Sequence, residues 1–184
     1  MRERIREYLH AENHVGMQIA LNLIHQSLLR PKEVNEIQIK HIHLSEKYIL
    51  VPSDVAKNHN ERKATLSDAT IKLMQTWNIE KMPKNYYLLG GKDVGFDLFP
   101  HAEQADSSKM RKNWEKLRRK LSIPQEMQLY SLRDTGITDL LKSGIDPLTV
   151  MQHADHHSLE MTTKYAKHID TGLVQKMNAV LPDF

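Results

Sequence analysis

The segment from Asp155 to His168 reads DHHSLEMTTKYAKH and places a histidine, His156, ahead of a tyrosine, Tyr165. Ser158 between them is a predicted N-cap, its hydroxyl serving the first free amides of a helix through Leu159 to Ala166. That helix carries Tyr165 near its last turn. The apolar positions here are Leu159, Met161 and Ala166, and Tyr165 follows Thr162, Thr163 and Lys164, a poor setting for a core aromatic. A tyrosine on an amphipathic helix ordinarily packs its ring and wets its hydroxyl; a catalytic phenol is the other reading. Further upstream, Ser131 is placed to cap a helix that buries Leu132, Ile137, Leu140 and Leu141. Arg133 then stands near a helix N-terminus, where backbone amides and a guanidinium together meet a phosphate. His153, His156 and His157 offer imidazoles to a metal at helical spacing, but no carboxylate pattern elsewhere completes such a site.

Charge points the same way. From Ser107 to Leu121, Met110, Trp114, Leu117 and Leu121 form one apolar stripe, while Lys109, Arg111, Lys112, Lys116, Arg118, Arg119 and Lys120 cover much of the rest. Such a face is either a solvated helix surface or a contact for a phosphate backbone. The whole chain hides it, with 26 Lys and Arg against 23 Asp and Glu and a net charge of only +3. Affinity for nucleic acid must come from where the charge lies.

A chain of 184 residues, 40% hydrophobic, supports one domain with its own core. Without cysteine it has neither disulfides nor thiolate metal sites, which fits a reducing cytoplasm. The start, MRERIREYLH, is charged and amphipathic, unlike a signal peptide, and no apolar run has the length of a membrane span.

The elements follow from periodicity. Ile5, Tyr8 and Leu9 give a short helical stripe; Met17, Ala20, Leu21, Ile24 and Leu28 predict a buried helix that delivers Arg30 at its end. Pro31 and Glu33 suit the first turn of a helix restart. From Ile39 to Leu66 the pattern alternates, with Tyr48 to Val51 and Lys63 to Leu66 as the clearest strands of a small antiparallel sheet. Asn58, His59 and Asn60 carry turn chemistry, with Lys57 on the hairpin shoulder. Ser67 or Asp68 caps a helix through Trp77 whose apolar face is Ala69, Leu73, Met74 and Trp77. Asn85 to Gly91 reads as a short strand, the stretch to Asp106 as a surface loop. Gly144 ends the helix after Ser131, and Asp146 and Pro147 start the next. The fold class is mainly α with a small antiparallel β-sheet.

Taken in order, these motifs resemble the catalytic domain of the tyrosine recombinases, the integrases of phages and transposons. That family's signature of Gly-His followed by Thr-x-x-Tyr is matched by His156, Thr162 and Tyr165; its Arg-x-x-Glu by Arg30 and Glu33; its hairpin lysine by Lys57, with Lys63 as the competitor; and its His-x-x-Arg by Tyr130 and Arg133. Three departures stand out. Leu28 occupies the place of a glycine two residues before the arginine, Tyr130 that of a histidine, and Asp155 that of the glycine before His156.

The resemblance implies DNA strand cleavage and rejoining through a 3'-phosphotyrosyl intermediate, needing neither metal nor ATP. Arg30, Arg133 and His156 would stabilise the phosphorane, Tyr165 would attack phosphorus, Lys57 would protonate the departing 5'-oxygen and Glu33 would orient Arg30. A neutral phenol at Tyr130 can donate a hydrogen bond but is a poorer proton shuttle than histidine. The implied partner is double-stranded DNA, with a homotetramer on two sites, a monomer for the isolated domain, no membrane, and action at the nucleoid of a bacterial cytoplasm. The family's N-terminal DNA-clamping domain is expected to be missing from residues 1–184, and the apolar stripe within residues 171–184 to dock on a neighbouring protomer. The alternatives are a catalytically impaired DNA-binding relic or regulator of the same fold, a type IB topoisomerase-like strand transferase, and the weaker metallohydrolase.

Overall fold

The computed structural model describes residues 1–91 and 95–166, and the chain divides into two compact units, Met1–Gly136 and Ile137–Phe184. In the first unit, α1 (Arg2–Ala11) buries Ile5 and Leu9, and α2 (Val15–His25) is buried along most of its length. Gly16 lets the start of α2 rest on the backbone at Leu98, since a Cβ there would lie 1.7 Å from the Leu98 carbonyl oxygen. Asp97 accepts from the Met17 amide at 3.0 Å, a carboxylate where the helix dipole favours one. α3 (Pro31–Glu36) begins with proline in its first turn, as the sequence predicts.

A three-stranded antiparallel sheet follows: β1 (Ile42–His43), β2 (Tyr48–Val51) and β3 (Arg62–Thr65), in the order β1-β2-β3. Alternation along β2 buries Ile49 and Val51, which join Leu23, Ile24, Val34, Ala64 and Met74 in the core. α4 (Asp68–Thr76) is capped by Ser67, whose hydroxyl accepts from the Thr70 amide at 3.2 Å. Its buried positions are Thr70, Ile71 and Met74; of the expected face Met74 is buried, Leu73 and Trp77 pack partly covered against the core, and Ala69 is exposed. β4 (Tyr87–Gly90) pairs antiparallel with β5 (Phe99–His101). β5 falls in the stretch whose composition predicts a surface loop, since three residues containing Pro100 show no period and proline is tolerated only where a ladder donor is dispensable. α5 (Lys109–Lys120) buries Met110, Asn113, Trp114 and Leu117.

α6 (Ser131–Lys142) takes Ser131 as its first residue and is followed by Gly144 at φ +86. In the second unit, Asp146 caps α7 (Pro147–Ala154), its carboxylate accepting from the Thr149 amide at 2.8 Å. α8 (Leu159–Thr163) is capped by Ser158 as expected, but ends before Tyr165. The architecture is mainly helical with small antiparallel sheets, the class read from the sequence.

Candidate active site

The turn between α2 and α3 builds the first part of the site. The helical stripe of α2 stops at His25, so Leu28 is not on it and Arg30 is not its last residue. Ser27 ties the turn to β3 by donating to the Thr65 carbonyl at 2.6 Å. Leu28 is fully buried with φ 52, in the left-handed region. A leucine there costs about 1–2 kcal/mol relative to a right-handed conformation, and glycine almost nothing. The glycine that the resemblance led one to expect is therefore a backbone requirement, which this chain meets with a strained leucine.

Arg30 is the extended N-cap of α3. The Glu33 carboxylate reaches back to it twice, accepting from the Arg30 amide at 2.8 Å through Oε2 and from Nη1 at 2.9 Å through Oε1. Of the reciprocal capping box, this is the half that an arginine N-cap can make, since a guanidinium has no acceptor. Glu33 thus orients Arg30 in the structure. Their side chains are 2% and 12% exposed.

The register of the sheet brings a third charge. Val51 pairs with Arg62 and Leu50 with Lys63, and because Val51 is a buried position its partner Arg62 faces inward. Arg62 Nη2 meets Glu33 Oε2 at 2.8 Å, with its own side chain 10% exposed. One residue on, Lys63 faces the other side of the sheet, its Nζ 4.4 Å from the Tyr48 ring centroid. In the sequence Arg62 stands across the Asn58-His59-Asn60 turn from Lys57. Its parity with the buried Ala64 was the signal that it points into the core.

Arg133, on α6, has no solvent exposure, and its Nη1 donates to the Leu28 carbonyl. Burial lowers its pKa from the ordinary arginine value, and Arg30 lowers it further, while Tyr130 and Glu33 act in the opposite direction. Arginine begins so far above neutrality that Arg133 remains a cation. Gly136, three residues further along α6, was not singled out from the sequence. A Cβ there would lie 1.9 Å from the His25 carbonyl oxygen, so the glycine is what allows α6 to approach the end of α2.

In the second unit, His156 Nδ1 is 2.8 Å from the hydroxyl of the buried Thr162, and its ring stacks on that of Tyr165 with centroids 6.4 Å apart at 16°. When the hydroxyl donates to Nδ1, the neutral imidazole carries its proton on Nε2. Tyr165 lies in a turn just beyond α8, its amide bonded to the Thr162 carbonyl at 3.0 Å, and is half-buried. Lys164 Nζ stands 5.1 Å from its ring centroid. Asp155 has φ 54 and ψ 51 at the C-cap of α7. Here too the expected glycine answers a left-handed position, and aspartate is among the residues that enter that region readily. Among the described residues no group of three or more His, Cys, Asp or Glu is arranged to hold a metal, so His153, His156 and His157 do not converge as ligands.

The remaining candidates are more exposed than the buried cluster. Lys57 is exposed in the connection between β2 and β3. Tyr130, immediately before α6, is 46% exposed. On α5, Lys109, Lys112, Lys116 and Arg119 fall along one face and line a shallow depression of about 370 Å³ together with Asp106 and Glu115. Arg111 is paired with Glu115 at 2.7 Å along the helix, and Arg118 is partly covered. The apolar stripe within residues 171–184 lies outside the described residues.

The fold is that of solved recombinases. A XerA recombinase matches 99% of this chain at TM-score 0.73 and 19% identity, with 63% of its own length covered. The integrase of transposon Tn1549, in a structure with transposon right-end DNA, matches 98% at TM-score 0.74 and 15% identity, 64% of it covered. An integrase from mycobacterium phage Brujita matches 85% at TM-score 0.60 and 20% identity, 48% of it covered. The chain thus spans less than two thirds of each of these proteins. No curated protein sequence matches it. The model of the phage integrase family matches residues 2–171, and the chain belongs to that family.

Proposed function

We propose that this chain breaks and rejoins double-stranded DNA through a tyrosine nucleophile, as the catalytic part of a site-specific recombinase. The observation that carries the reading is the buried cluster in which Arg30 and Arg62 share the Glu33 carboxylate while Arg133 is anchored nearby on the Leu28 carbonyl. Buried guanidiniums held in advance suit a phosphodiester whose charge grows as phosphorus becomes five-coordinate. Arg30 and Arg133 grip the nonbridging oxygens, and His156 Nε2 adds a donor. Tyr165 Oη attacks phosphorus, giving up its proton to solvent, and the bond from phosphorus to the 5'-oxygen breaks. Lys57, on its exposed loop, delivers the proton that this leaving oxygen takes. Attack by a 5'-hydroxyl on the phosphotyrosyl bond restores the phosphodiester and the phenol. No step consumes ATP or calls on a metal.

Tyr130 enters as a neutral hydrogen-bond donor beside Arg133. The face of α5 made by Lys109, Lys112, Lys116 and Arg119 follows the backbone of the duplex, with Arg111 and Arg118 at its margins. The working assembly is a homotetramer on two DNA sites in a bacterial cytoplasm. The departure at Asp155 is a tolerated left-handed position and carries little weight against activity.

The test is a suicide duplex nicked so that the cleaved strand cannot be rejoined. Incubation in EDTA without nucleotide is expected to give a covalent adduct stable to denaturing electrophoresis. Duplex binding with no adduct on cognate DNA would return the chain to the class of DNA-binding relics.

A further inference from the structure

We propose that Leu28 is a positioning residue for the arginines, its left-handed peptide fixing Arg133 to the turn that carries Arg30, a role that rests on those arginines gripping a phosphate. The amide and carbonyl of a trans peptide point in opposite directions. The Leu29 amide is pinned to the Leu23 carbonyl at 3.0 Å, so the Leu28 carbonyl in the same peptide faces away from α2. Arg133 Nη1 donates to it there. That reversal accompanies φ 52 at residue 28, a conformation leucine seldom adopts and keeps only where surrounding contacts over-determine it.

The side chain supplies those contacts. Leu28 is fully buried, and its Cδ2 lies 2.8 Å from where a Cβ on Gly136 would stand. Gly136 is one helical turn beyond Arg133, so α6 meets Leu28 twice, through the carbonyl and through the side chain. Two residues further along the turn, the Arg30 amide is held by Glu33 at 2.8 Å. A shift at Leu28 therefore moves one arginine relative to the other. Glycine would permit the same φ but would also release the peptide to others and vacate the space against Gly136. The wedged leucine selects one orientation.

The test compares the full chain with Leu28→Gly and Leu28→Met. Two quantities are read: single-turnover cleavage of the suicide duplex against duplex affinity, and stabilisation of the fold by inorganic phosphate in thermal melts. Leu28→Gly is expected to bind duplex within about twofold of the parent, to cleave at least about tenfold more slowly, and to need several times more phosphate for the same stabilisation. An error of about 1 Å in placing a reacting group can cost about a hundredfold in rate. Leu28→Met, which keeps the volume, is expected to retain both properties. A folded Leu28→Gly with parental cleavage and phosphate response overturns the proposal, as does a loss confined to duplex affinity. Should Leu28→Gly not fold, Gly136→Ala takes its place, pressing a Cβ on the His25 carbonyl and displacing α6 from the other side. Parental values for Gly136→Ala would equally overturn it. If the parent itself cleaves no DNA, the proposed activity fails and the phosphate measurement alone decides on Leu28.

Discussion

Glu33 is 2% exposed and holds two guanidiniums, whereas Tyr165 sits half-buried in a turn beyond a helix of five residues. The arginine cluster of the first unit is built into the core: the carboxylate bridges α3 to β3, and the Leu28 carbonyl ties Arg133 to the turn after α2. In the second unit, Tyr165 makes a ring contact with His156 and a turn hydrogen bond to Thr162. The proposed chemistry would account for the difference. Groups that stabilise charge act best when fixed beforehand, while a nucleophile that becomes bonded to DNA must move from its free to its bonded place.

The contrast breaks most sharply at Tyr165. Tyr165→Phe deletes only the oxygen proposed as nucleophile, so it is expected to abolish the covalent adduct while leaving duplex affinity unchanged. The melting temperature should stay close to that of the parent, since a partly exposed substitution away from the core changes stability by about 0.5 kcal/mol or less. An adduct formed by this variant would give the nucleophile to another residue. Lys57→Ala is expected to slow cleavage about 10²–10⁴-fold, the usual worth of a positioned acid. A duplex with a 5'-thiol leaving group should restore most of the rate, because a thiolate departs without the proton. A defect that sulfur does not rescue would remove Lys57 from that role.

On the arginine side, rate and stability should fall together. Arg30→Ala and Arg133→Ala are each expected to lower cleavage at least about a hundredfold, as loss of a preorganised donor does. Near-parental cleavage would take that arginine out of the site. Glu33→Gln leaves the cations in place but removes the charge they share, and breaking a buried pair in this way costs about 3–5 kcal/mol. Chemical denaturation is expected to show that loss, with a smaller fall in cleavage than either arginine variant. A Glu33→Gln protein as stable as the parent would mean that Arg30 and Arg62 hold their places without the carboxylate.

How far these two sides were legible in the sequence follows the same division. The caps at Ser67, Asp146 and Ser158, the alternation of β2 and the stripe of α5 are local, and each could be read from a few consecutive residues. Glu33 at the third position of α3 was legible for the same reason. The link from Glu33 to Arg62 joins two elements, and nothing in either segment announces it apart from the parity of the strand. Leu28 was misread because an apolar residue at helical spacing looks like the continuation of α2, whereas tertiary contacts hold it in a conformation that leucine disfavours. β5 was missed because its pairing with β4 supplies the order that its own three residues do not encode. The departure at Asp155 has a backbone reason, its φ of 54, that the residue type alone does not reveal.

The smallest expected effect sharpens the assignment of Lys57 on the same hairpin. Arg62 and Lys63 are neighbours in β3, yet the pleat sends them to opposite faces, one onto Glu33 and the other over the ring of Tyr48 at 4.4 Å. Lys63 competes with Lys57 as the hairpin lysine, but its cation is engaged with an aromatic face on the outer side of the sheet. Reaching a site on the inner side would require a shift of register by one residue, which would also turn Ile49 and Val51 out of the core. Lys63→Met keeps the aliphatic stem and removes only the charge. It is expected to leave cleavage within about twofold of the parent and to lower the melting temperature by about 2 °C or less. A tenfold fall in cleavage that the 5'-thiol substrate restores would transfer the acid role from Lys57 to Lys63. It would also mean that β3 works in a register other than the one in which Val51 faces Arg62.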